Sequence, residues 1–307
     1  MSGTTKSRSK LVAVPPKSAI PGKPKTLIYG PPGVGKTWCS LSFPTVYFID
    51  TEGGANLGHY TDRLTVAGGV YMGPDQGALS FATVLEQVQA LATEKHEFRT
   101  LVIDSISKLF NVAIADEAER LVKAGLKNEY GADKKPAVGN MRSLVKWLTK
   151  LDMNVLLISH EKDEYGGVGV DREVIGKTFD CWDRLEYELH LCMHIRKNGA
   201  SRLAKIRKSR LLGFPEGESI PWSYDDFAKR YGRDVLERAT TTIELATESQ
   251  VEEIETLMKV VKMPDGQIEK WFTAADVSSW SEMSTDQIGK CIANVKTRLQ
   301  PPAIAAE

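Results

Sequence analysis

The chain lacks a net charge, a long apolar run and any closely paired cysteines. Forty lysines and arginines are matched by forty aspartates and glutamates in 307 residues. That balance speaks against a polycation that coats nucleic acid indiscriminately, but says nothing about how the charges are distributed. No stretch approaches the ~18 consecutive apolar residues of a membrane-crossing helix. Residues 1–25 carry basic residues but no apolar segment, so they do not read as a secretory signal. Cys39, Cys181, Cys192 and Cys291 are scattered and never form a CxxC pair. In a chain of this length they read as reduced thiols of a cytoplasmic protein. Hydrophobic residues make up 42% and charged residues 26%, which excludes a mainly disordered or fibrous chain. At ~150 residues per domain, the length suggests about two domains.

The charges are unevenly placed. Residues 1–24 contain basic residues and several prolines but no acid. Such a segment buries too little apolar surface to offset its ordering entropy, so it is expected to be a flexible basic arm. From Lys25 the pattern is β/α. Short apolar runs at 26–29, 46–49, 101–103 and 155–158 read as buried strands. Helical periodicity lies between them, in Phe81–Leu91, Ile106–Ile114 and Leu144–Leu151. This alternation predicts a mainly parallel sheet covered on both faces. Leu185–Ile195 and Arg202–Ile206 flank Asn198-Gly199, so the sheet is expected to end in antiparallel strands. His190, Cys192 and His194 alternate there, which suits a half-buried strand face better than a metal site. Residues 220–240 read as a connector with one helix, closing an expected core of 25–240. Capping boxes at Thr247/Gln250 and Ser284/Gln287 open helices of a small module over 246–300. Residues 244–307 hold eleven acids against six bases.

The strongest motif is Gly30-Pro31-Pro32-Gly33-Val34-Gly35-Lys36-Thr37, which fits G-x-x-x-x-G-K-[ST] between a strand and a helix. Glycines let successive N–H groups face phosphates, and the following helix start, with Trp38, adds its dipole. Gly30, Pro32, Gly33, Val34, Gly35, Lys36, Thr37 and Trp38 are therefore the expected ATP-binding residues. Lys36 is expected to reach the β- and γ-phosphates. Thr37 and Asp104, the acid ending the 101–103 strand, are expected to hold Mg²⁺. Asp104 could also cap the helix that follows it.

Motor ATPases of the AAA+ type follow the metal-binding Asp with a catalytic Glu, and this chain has Ser105 there. An acid must come from elsewhere, and Phe48-Ile49-Asp50-Thr51-Glu52 supplies one just past the second strand. The combination of GPPGVGKT, FIDTEGG, LVIDSIS and LLISHEK resembles the RecA/RadA recombinase core. More specifically, it resembles the short RecA/RadA-like ATPases of bacteriophages that serve in single-strand annealing. The resemblance covers roughly residues 25–215. It implies an α/β RecA-like P-loop fold in which Glu52 activates the attacking water, with Asp50 a weaker competitor. His160 stands where the family usually has a Gln that senses the γ-phosphate. Residues 161–177, with Gly166, Gly167, Gly169 and Gly176, resemble a mobile loop that contacts single-stranded DNA; they fit an ordinary surface loop as well.

Seven basic residues lie between 196 and 210, with no acid. The resemblance places this hairpin at a subunit interface, where Lys205, Arg207, Lys208 and Arg210 are candidates to reach a neighbour's γ-phosphate in trans. A charged guard against edge pairing is the alternative. The function implied is an ATP-dependent recombination protein that binds single-stranded DNA and assembles as a filament or ring. A single-strand-binding protein or another recombination protein is the implied partner. A phage-encoded chain would act in the host cytoplasm. Two other readings remain open at this point: an accessory ATPase of replication or packaging, and a small-molecule P-loop kinase.

Overall fold

The computed structural model describes residues 22–167 and 172–299. Most of the basic arm, and the 168–171 part of the glycine-bearing segment, lie outside the described residues. One charge of the arm does not. Lys23 is buried, and its amine donates to the Arg238 carbonyl at 2.5 Å.

The main sheet has eight strands. They are β1 (Lys25–Tyr29), β2 (Val46–Asp50), β3 (Val70–Met72), β4 (Thr100–Asp104), β5 (Asn154–Ser159), β8 (Leu191–Asn198), β9 (Ser201–Ser209) and β10 (Ser219–Pro221). Their order is β10-β9-β8-β1-β5-β4-β2-β3. The strands from β3 to β8 pair in parallel; β9 and β10 are antiparallel. This is the expected α/β arrangement, a mainly parallel sheet that ends in antiparallel strands. β6 (Glu161–Gly166) and β7 (Glu173–Phe179) form a separate two-stranded hairpin.

The central strands are apolar on both sides because each face is covered. Leu27, Ile103, Val155 and Leu157 face one core cluster, with α3 (Phe81–Thr93), α4 (Ile106–Lys123) and α5 (Lys134–Lys150) packed over it. Ile28, Val102, Leu156 and Ile158 face the other. That second cluster lies under α1 (Lys36–Ser40), α2 (Gly58–Val66), α7 (Tyr224–Tyr231) and α8 (Arg233–Glu237).

Four segments depart from the sequence reading. Leu185–Glu188 is a short helix, α6, rather than strand; Leu185 and Leu189, one turn apart, both enter the first core. The 220–240 connector opens on β10 and contains two helices, split at Gly232, whose φ of 111° no continuous helix allows. Residues 161–166 and 173–179 are paired strands, not a loop. Their polar sequence hid them, because only Phe179 at the end of β7 enters the core and the rest of the hairpin needs little apolar surface. β3 is a three-residue edge strand too short to show a period. The Asn198-Gly199 signal does mark a hairpin: Asn198 pairs with Ser201, leaving Gly199 and Ala200 at the turn, with Gly199 at φ 58°.

Residues beyond the sheet form α9 (Glu248–Val260), α10 (Gln267–Ala275) and α11 (Thr285–Leu299). Both capping boxes form, with reciprocal bonds between Thr247 and Gln250 and between Ser284 and Gln287. Ile254, Met283, Ile288, Ile292 and Val295 make a third apolar cluster. It meets α5 through Lys150, whose amine donates to the Asp276 carbonyl at 3.0 Å.

Lys25 gives the fold a measurable pH response. Its amine is buried and donates to the carbonyls of Leu151 at 2.7 Å and Met153 at 2.5 Å. Burial pushes its pKa down to about 7. Between about pH 7 and pH 9 the unfolded chain therefore holds a proton that the folded chain has released, so stability rises with pH. Lys23, pushed down to about 8 by burial, acts in the same direction. In Lys25→Met, the urea midpoint should climb less steeply across this window than in wild type; equal slopes would contradict the assignment.

Candidate active site

The phosphate-loop motif joins β1 to α1 at the C-terminal ends of the parallel strands, where open α/β sheets bind ligands. Its glycines are demanded by backbone approach. A Cβ on Gly30 would lie 2.3 Å from the Ile195 carbonyl oxygen of the neighbouring β8. Gly33 and Gly35 have φ of 73° and 83°, the left-handed region that glycine alone enters freely. A Cβ on Gly35 would also meet Arg202 Nε at 2.4 Å, so β9 leans on the outside of the loop.

A cavity of about 400 Å³ opens beside the loop. Gly30, Pro32, Gly33, Lys36 and Thr37 line it from one side, and Glu52, Asp104 and His160 from the other. Val34 is buried beneath the loop in the second core. Trp38 points outside the cavity, with the Arg63 guanidinium 4.3 Å from its ring centre. Lys36 Nζ donates to the Gly30 and Pro31 carbonyls at 2.7 and 3.0 Å. Burial pulls its pKa below the usual lysine value, against the opposing pull of Asp104, Glu161 and Glu52.

Thr37 Oγ1 donates to Asp104 Oδ2 at 2.5 Å. Burial pushes the Asp104 carboxyl up to about 6, against that hydroxyl bond. Two hard oxygens meeting beside a cavity at a strand end suit Mg²⁺, which takes a few protein oxygens and fills its octahedron with water and phosphate. Asp104 is not the cap of α4. Ser105 is: its Oγ accepts from the Lys108 amide at 3.1 Å.

Asp50 and Glu52 separate cleanly. Asp50 is buried, and its Oδ1 accepts the amides of Glu52 and Gly53 at 2.9 Å each. Its Oδ2 accepts the Ala55 amide at 2.9 Å and the Tyr71 hydroxyl at 3.1 Å. Both acids line the cavity, but the Asp50 oxygens are taken up by the amides of the loop after β2 and by Tyr71, so Asp50 shapes that loop and Glu52 is the freer acid. Glu52 Oε1 lies 2.5 Å from His160 Nε2 and accepts from Ser105 Oγ at 2.5 Å. The His160 amide is pinned by Ser107 Oγ at 2.9 Å, and the next residue begins β6.

The four trans-acting candidates differ. Arg207 is held within its own chain by Glu164, through two bonds of 2.9 and 2.6 Å, and by Glu186 at 3.3 Å. Lys208 Nζ donates to the Leu189 carbonyl and Arg210 Nη2 to the Tyr187 carbonyl. Lys205 is exposed; its amine makes no hydrogen bond or ion pair among the described residues. His190, Cys192 and His194 also go separate ways. His190 Nδ1 accepts the Lys25 amide, Cys192 is buried, and His194 stacks on Tyr29 and meets Glu161 at 3.0 Å. Tyr60, Glu161 and Ser105 escaped the sequence reading. Tyr60 and Glu161 had no signal, since only folding brings them to the cavity wall. Ser105 had one, its place beside Asp104.

A family model described as an AAA domain matches residues 22–200, more than half the chain. The chain belongs to the AAA domain family. It is accordingly a P-loop NTPase, one with serine rather than glutamate after Asp104. None of the curated proteins matches it. Among solved structures it is similar to the crystal structure of the RadB recombinase, at 16% identity and a TM-score of 0.40. That likeness covers 65% of this chain and 87% of the other. The fold is defined by the strand order itself. Among the described residues no helix is long and apolar enough to cross a membrane.

Proposed function

We propose that the protein is an ATP hydrolase of the recombination type, which binds single-stranded DNA through the β6–β7 hairpin and works as a homo-oligomer. The observation that carries this reading is the 2.5 Å contact between Glu52 and His160. It joins the acid best placed to activate water to the residue at which the hairpin begins, so movement of the hairpin is felt at the reacting end of the cavity.

In this reading Lys36 binds the β- and γ-phosphates, and Thr37 and Asp104 would hold Mg²⁺. The ion's chemistry is to neutralise charge on the phosphates. Glu52 orients a water and takes its proton as the water oxygen bonds to the γ-phosphorus and the bond to the β-phosphate oxygen breaks. His160, whose Nε2 meets Glu52, stands on the cavity wall as the residue that senses the γ-phosphate. Lys205 is the best placed of the basic candidates to act on a neighbouring subunit's nucleotide. Residues 25–240 are the ATPase core, and 246–300 is an accessory helical module.

The hairpin suits single strands. Tyr165 is exposed, with the Arg172 guanidinium 4.3 Å from its ring centre, and Val174 and Ile175 are also exposed. An aromatic face beside a cation is the pairing on which bases stack and phosphates rest. Fluorescence anisotropy with a labelled oligonucleotide tests this. With ATP present, single strands should bind with an affinity that falls steeply between about 50 and 200 mM salt. Tyr165→Ala should weaken binding roughly fivefold or more, in line with the loss of one stacking platform. Binding that is indifferent to both salt and Tyr165 contradicts the proposal.

A further inference from the structure

We propose that Ser105 is a positioning residue for Glu52, a reading that rests on Glu52 being the acid that activates water. Ser105 occupies the place after Asp104 where motor ATPases carry their own glutamate. Here it reaches across to an acid delivered from β2.

Every polar group of Ser105 has a defined partner. Its amide donates to Thr51 Oγ1 at 2.8 Å, and its carbonyl accepts from the same Thr51 hydroxyl at 3.0 Å. Its own Oγ accepts the Lys108 amide at 3.1 Å. That leaves the hydroxyl hydrogen, which Ser105 donates to Glu52 Oε1 at 2.5 Å. Ser105 is fully buried, so no water competes for this charge-assisted bond.

The consequence follows from where Glu52 sits. Its backbone is in a loop and its side chain is 38% exposed, so its rotamers are not fixed by packing. Asp50 holds the Glu52 amide at 2.9 Å, and Ser105 holds Oε1. His160, itself half exposed, shares that same oxygen. With Oε1 tied to a rigid strand end, Oε2 is the oxygen left to meet water. Among the described residues, the other side-chain partner of Glu52 is His160, the residue that precedes β6.

A serine that merely caps α4 must be distinguished from one that positions Glu52. Glycine caps a helix nearly as well as serine, so Ser105→Gly removes the donor while largely sparing the cap. Ser105→Ala serves as a second variant should the glycine form fail to fold. Turnover and nucleotide affinity would be measured for both, using a fluorescent ATP analogue for binding. The expected result is a kcat lowered roughly ten- to hundredfold, with analogue affinity unchanged within about twofold. In a Glu52→Gln background, Ser105→Gly should lower the residual rate no further, as read by single-turnover release of labelled phosphate. Unchanged kcat in the single variants, or an equal further loss in the Glu52→Gln background, overturns the inference. Normal hydrolysis by Glu52→Gln alone overturns the Glu52 reading instead, so the two failures are distinguishable.

Discussion

Lys36→Ala is expected to remove ATP turnover, with a loss on the order of 10²–10³-fold or greater. The ammonium is the cation that the loop itself brings to the cavity, and it sits within 3.0 Å of the Gly30 and Pro31 carbonyls. Alanine leaves the glycine backbone intact but withdraws the charge that meets the outer phosphates. The change should be local. Lys36 lies outside all three apolar clusters, so the thermal midpoint should shift by no more than a few degrees. Isothermal titration with ATP and a coupled phosphate-release assay check both halves. Unchanged turnover would mean that the loop is not the phosphate site.

Glu52→Gln should separate binding from chemistry. The amide oxygen can still accept from Ser105, so the loop geometry survives. What is lost is the ability to take a proton from water. Positioned proton transfer contributes typically 10²–10⁴-fold, and kcat should fall by about that factor while ATP affinity stays near wild type. Asp50→Asn should behave differently. An asparagine Nδ2 cannot accept the amide bonds that Asp50 now receives, so the loop carrying Glu52 should loosen and stability should fall along with rate. A Glu52→Gln enzyme that turns over normally would move the base elsewhere.

Much of this site can be read in the sequence because its chemistry is local. The spacing from Gly30 to Thr37 encodes a loop on its own, and the run ending at Asp104 announces a buried parallel strand. The long-range partners are less legible. The pairing of Glu52 with Ser105 and His160 spans separations of 53 residues for one contact and 108 positions along the chain for the other. It exists because β2, β4 and β5 lie side by side. Ser105 was visible only as a departure, a serine where a related class has an acid. The β6–β7 hairpin was obscured because Glu161, Lys162, Asp163 and Glu164 read as solvated loop, whereas Arg207 and His194 hold Glu164 and Glu161 from β9 and β8. The basic run over 196–210 misled in the opposite direction. Charge density alone made its cations look equivalent, but Arg207, Lys208 and Arg210 are each engaged by their own chain.

The neutral total of the chain is an average over unlike segments. The basic hairpin and the acid-rich C-terminal helices offset one another in the sum, and the cavity draws on neither for its acids and its lysine. A local DNA element controlled by nucleotide is compatible with a formal charge of zero. The most direct test of this account is ATP turnover by the full chain, measured with and without a single-stranded oligonucleotide in the same buffer. The account predicts that single strands stimulate hydrolysis severalfold or more, that the stimulation disappears in Glu52→Gln, and that high salt suppresses it. Hydrolysis that proceeds at the same rate with and without DNA would contradict it.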